Sequence, residues 1–140
     1  MDLIRTPISP PPSNIPKVLL TVDRHTLAKR RWRASADDGR EFGFDLDEPL
    51  RDGAPFFQSE AASYVISQQP EPIFEITPAS PRDAARIGWL IGNLHFSLEI
   101  SGDVIRVPND SALRQMLERE HIVFVEASRV FHPYRHGHVH

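Results

Sequence analysis

The hydrophobic periodicity of this chain changes once, at Pro70 and Pro72, and that change limits the fold more than any other feature. Before it, apolar residues come in short alternating runs. Val18, Leu19, Leu20 and Val22 form the first, with β-branched members. Asp37-Asp38-Gly39-Arg40 then reads as a hairpin turn, because Asp-Gly supplies the positive φ a tight turn needs. Phe42, Phe44 and Leu46 alternate beyond it. Leu50-Arg51-Asp52-Gly53 marks a second turn, followed by Phe56-Phe57 and then Tyr64-Val65-Ile66. Short strands with turn signals about every ten residues predict a small all-β domain over 17–70.

After the prolines the pattern alternates between strand and helix. Ile73 to Ile76 reads as a strand. Ser80 is placed as an N-cap, Pro81 as the first helical residue and Asp83 in the first turn. Ile87, Leu90, Ile91 and Leu94 fall at i, i+3, i+4 and i+7, so they share one helix face. Phe96, Leu98 and Ile100 alternate with Ser97 and Glu99 as a half-buried strand, and Val104 to Val107 returns after a turn. Asn109 or Asp110 caps a second helix carrying Leu113, Met116 and Leu117, and Ile122 to Val125 is read as the last strand. The predicted class is α+β: a small all-β domain, then a ferredoxin-like β-α-β-β-α-β domain over 71–130. A Pro-rich lead over 1–16 is expected to be disordered. The tail over 131–140, holding four of the seven His, is expected to be flexible.

Composition excludes several functions. With no Cys there is no disulfide framework, zinc ribbon, iron–sulfur site or thiol nucleophile. Sixteen Lys and Arg against nineteen Asp and Glu give a net charge of −3, which argues against a dedicated nucleic-acid binder. No apolar run approaches the ~20 residues of a membrane span, and the start lacks an apolar signal core, so a cytoplasmic protein with no membrane partner is expected. No G-x-S-x-G, H-E-x-x-H, phosphate loop or G-x-G-x-x-G occurs, and an enzyme is not expected.

Histidine is the residue type left to carry chemistry. His132, His136, His138 and His140 lie in the tail, and the last three alternate, so an extended chain puts them on one side. Neutral imidazole suits Ni, Cu and Zn, and binding weakens as pH falls through about 6.5. His95, in Gly92-Asn93-Leu94-His95-Phe96, stands where a helix gives way to a strand. Sharing parity with Ser97 and Glu99, it is expected on the side the helices leave open. One His holds a metal poorly, but a two-fold dimer sets it against its own copy. Gly88 and Gly92 on the same helix suggest either close approach by another element or loss of helix near its end. The basic stretch Arg24 to Arg33 reads as a solvated strand face, or as a docking surface for an acidic partner.

The motif Gly92-Asn93-Leu94-His95, followed by an alternating strand, resembles the Gly-Asn-x-His motif of the urease accessory protein UreE family. Asp37-Asp38-Gly39-Arg40-Glu41, Asp45-Leu46 and Leu50-Arg51-Asp52-Gly53 look like that family's N-terminal domain. Asp110, Leu113 and Met116-Leu117 match the start of its second helix, and the His-rich end matches too. The resemblance runs from about Lys17 to His140. It implies a homodimeric nickel chaperone, with one Ni2+ between the paired His95 side chains and the tail collecting or passing metal, Zn2+ or Cu2+ being possible occupants in vitro. It implies delivery to the accessory GTPase and through it to apo-urease. Two positions depart from the family's usual pattern: Ser111 replaces a common His, and Leu94 a frequent Arg. The competing reading is a protein-interaction module of the same fold that docks a partner through its basic β domain. An RNA-binding version is disfavoured, since the strands lack the paired exposed aromatics it needs.

Overall fold

A computed structural model describes residues 1–11 and 14–134. The chain divides into two compact units, Met1–Gln69 and the remainder from Pro70.

The first unit contains β1 (Asp2–Ile4), β2 (Lys17–Val22), α1 (Arg24–Leu27), β3 (Arg31–Ser35), β4 (Glu41–Asp45), β5 (Pro55–Gln58) and β6 (Ser63–Gln68). They form two three-stranded sheets, β1-β4-β3 and β2-β6-β5. An aromatic core joins them. Phe42 meets Phe56 edge-on at 5.0 Å, and Trp32 stacks on Phe44 at 3.9 Å. Such pairs add about 1 kcal/mol each beyond their buried area. Gly39, at φ 91°, makes the β3–β4 hairpin turn, and the Asp38 carboxylate accepts from the Tyr64 hydroxyl at 2.6 Å.

Two expectations for this unit are corrected. The 1–16 lead is not wholly disordered, because Asp2–Ile4 pairs in parallel with β4 and Ile4 is buried. The Arg40 guanidinium donates to the Asp2 carboxylate at 2.9 Å and fixes the register. The prolines begin only after this strand ends. The basic stretch is not one strand face either. Asp23 accepts from the Thr26 amide, and this cap turns Arg24–Leu27 into one helical turn before β3 starts.

The second unit contains β7 (Glu71–Ile76), α2 (Pro81–Asn93), β8 (Glu99–Ser101), β9 (Val104–Pro108), α3 (Ser111–Arg119) and β10 (Val125–Arg129). Its strands form one antiparallel sheet in the order β10-β7-β9-β8. Phe74, Ile76, Ile105 and Val107 point to one face and pack with Ile87 and Ile91 of α2 and Leu113, Met116 and Leu117 of α3. Both helices start on a side-chain cap: Ser80 accepts from the Asp83 amide, and Asp110 from those of Ala112 and Leu113. The unit is therefore α+β, with both helices on one face and the other face left to the chain's remaining segments.

The last strand is displaced from the expected Ile122–Val125. Ile122 is buried among the core residues beside the end of α3, and pairing with β7 begins only at Val125. Gly88 and Gly92 do not mark close approach by another element, since a Cβ at either meets nothing within 4 Å.

Candidate metal centre

The site begins with the way α2 stops. The amide of His95 donates to the Gly92 carbonyl at 2.9 Å, and that of Phe96 to the Ile91 carbonyl at 3.3 Å. This paired return is the Schellman arrangement, in which the residue after the cap adopts the left-handed conformation. Here that residue is His95, at φ 65°. Glycine is the usual occupant, because a Cβ in this region costs about 1 kcal/mol or more. The ring is exposed.

The expected strand parity of His95 is thus overturned. The left-handed residue breaks the alternation, and pairing with β9 does not begin until Glu99. Phe96 and Leu98 still pack on the core, whereas Ile100 is 53% exposed.

α3 ends the same way. His121, at φ 57°, donates its amide to the Glu118 carbonyl, and Ile122 donates to that of Leu117 at 2.9 Å. Sequence reading missed this pairing. Its signal was present, since both helices are followed by His and then a large apolar residue.

Four charged side chains lie on the sheet face away from the helices. The Arg129 guanidinium reaches Glu75 at 3.4 Å, Arg106 reaches Glu75 at 2.9 Å, and Arg106 approaches Glu99 at 3.7 Å. The Arg106 guanidinium beside Glu75, helped by Arg129, holds the Glu75 carboxyl below its ordinary range. No single residue of this series stood out in the sequence, because its members come from four different strands.

The start of the tail is ordered, contrary to the expectation of flexibility from residue 131. Phe131 is fully buried. The His132 amide donates to Glu99 Oε1 at 3.1 Å, and the Tyr134 amide to the Leu98 carbonyl at 2.9 Å. The tail root is thus bonded at Leu98, three residues along the chain from His95. The His132 ring is exposed. His136, His138 and His140 lie outside the described residues. Among the described residues, no group of three His, Asp or Glu side chains converges closely enough to hold a metal ion, and no helix is long and apolar enough to cross a membrane.

The C-terminal domain of the UreE urease accessory protein matches residues 71–140. A urease accessory protein UreE from Synechococcus sp. is 30% identical over 112 residues, covering 80% of this chain and 75% of the relative. That of Corynebacterium efficiens is 32% identical over 122 residues, covering 84% and 82%. That of Microcystis aeruginosa is 31% identical over 140 residues, covering 95% and 87%. Both the matched domain and these relatives take in the helix end that carries His95, and the chain belongs to the UreE family of urease accessory proteins.

Proposed function

We propose that this protein is a nickel chaperone of urease maturation, a ferredoxin-like carrier that binds Ni2+ through His95 of two chains and hands it on with help from its His-rich tail. The observation that carries this reading is an exposed imidazole kept in a strained backbone position beside the anchored root of that tail. Glycine would close the helix at lower cost, so the histidine is kept at some expense of stability, as His121 is at the end of α3.

The chemistry follows from the ligand count. Each chain offers one imidazole at the helix end, and a second copy related by a two-fold axis supplies another. Trp89 on the same helix is 66% exposed, and Leu94 beside His95 is 36% exposed, apolar surface that a homodimer would cover. The tail residues His132, His136, His138 and His140 then complete the coordination or pass metal to it. A site of few imidazoles at an interface, open to exchange, suits a protein that must release its cargo. The recipient would be the accessory GTPase and its complex with apo-urease, in the cytoplasm. Zn2+ and Cu2+ accept the same ligands and would compete in vitro.

The deciding experiment is a calorimetric nickel titration of the full chain at neutral pH, beside the His95→Ala variant. A tight step near half an equivalent per chain that disappears in the variant is expected. Weak binding unchanged by the variant would overturn the reading. It would favour instead an interaction module that docks a partner through Arg31 and Arg33 on the edge strand β3.

A further inference from the structure

The sheet face away from the helices carries an alternating series of charges that ends on the tail. In strand order it runs Arg129 on β10, Glu75 on β7, Arg106 on β9 and Glu99 on β8. Register accounts for most of it: Glu75 faces Arg106 and Arg106 faces Glu99 as direct cross-strand partners. Arg129 closes the series from the far edge. The Glu75, Arg106 and Glu99 side chains are only 14–20% exposed, so these pairs are screened less than surface pairs.

The chain crosses this same face after β10. It leaves the sheet at one edge, beyond Arg129, and reaches the opposite edge at Leu98 and Glu99. Five residue steps, Arg129 to Tyr134, make this crossing. It is fixed by the buried Phe131 and by two bonds at its far end, one of them from the His132 amide to the Glu99 carboxylate.

We infer that Glu99, held in place by Arg106 and through it by Glu75 and Arg129, is a positioning residue that lashes the root of the C-terminal tail to the β8 edge and so sets where the His132 imidazole is presented. Arg106 takes up one oxygen of Glu99 and leaves the other for the tail amide. A neutral amide side chain in the same place keeps its size and one acceptor oxygen but removes the charge that strengthens both contacts. The anchoring stands by itself; its consequence for metal rests on the nickel-carrier reading above.

The test has two arms, both on the full chain. In the first, without metal, amide exchange is followed by NMR in the parent protein, Glu99→Gln and Glu99→Asp. The Tyr134 amide should exchange about tenfold faster in Glu99→Gln and at an intermediate rate in Glu99→Asp, with amides of α2 and β7 unchanged. An unchanged Tyr134 rate in both variants overturns the proposal. In the second arm, Ni2+ alone is titrated into the parent protein and Glu99→Gln, each with His132 intact and again with His132 changed to Ala. Weaker binding in Glu99→Gln is expected only when His132 is present. Equal weakening in both backgrounds overturns the positioning role. Faster Tyr134 exchange in a protein that binds no Ni2+ upholds the anchor and sinks the carrier reading instead.

Discussion

A histidine in the left-handed region sacrifices stability that a glycine would keep, and among the described residues this happens at His95 and His121. The two positions form a natural control for each other. Replacement of either by Gly should stabilise the metal-free protein by about 1 kcal/mol, read by urea unfolding. Only His95→Gly should also abolish the tight nickel step. A destabilised His95→Gly would mean that the imidazole is held for packing. The sequence named His95 by its motif, but it could not give the backbone conformation. That depends on where α2 ends, and the end is set by two amides folding back onto Ile91 and Gly92.

Helices in this protein start more legibly than strands do. Ser80 and Asp110 were readable as caps because capping is a contact over two or three residues. The start of β10 was not, because it depends on where Ile122 finds burial beside α3. Gly88 shows the same limit. It suggested a close neighbour, yet a Cβ there meets open space. Gly88→Ala should therefore raise the stability of the monomer by up to about 1 kcal/mol, measured by thermal unfolding at low protein concentration. The charged series on the sheet makes a prediction with a definite sign. The carboxyl of Glu75 is held below its ordinary value of 4.5, so its ion pairs stabilise the folded state above that pH. That contribution fades as pH falls below 4.5 towards the folded-state value. Glu75→Gln should destabilise the protein at pH 7 and flatten the acid limb of a stability-versus-pH curve. A limb as steep as that of the parent protein would assign acid sensitivity to other carboxylates.

At the scale of the whole molecule, two small units each carry their own core, one aromatic and one aliphatic. Domains of about 70 residues are marginal alone, and association is one way to gain stability. If the proposed homodimer forms, the thermal midpoint should rise by several degrees between roughly 1 and 100 µM protein, because mass action favours the dimer. A midpoint independent of concentration, with a monomer mass by light scattering, would count against a shared metal.

The sequence by itself determined the α+β class, the order of strands and helices after Pro70, the helix caps and the histidine motif with its family resemblance. Each of these is a local signal, carried by residues a few positions apart. Only the tertiary structure decided the strand at Asp2–Ile4, the left-handed turn that takes His95 out of a strand, and the charged series from Arg129 to Glu99. It alone brought the root of the tail to Leu98. The charged series and the tail's bond to Glu99 reach across as many as 54 and 33 positions of sequence, and they exist only after sheet register has placed four strands side by side.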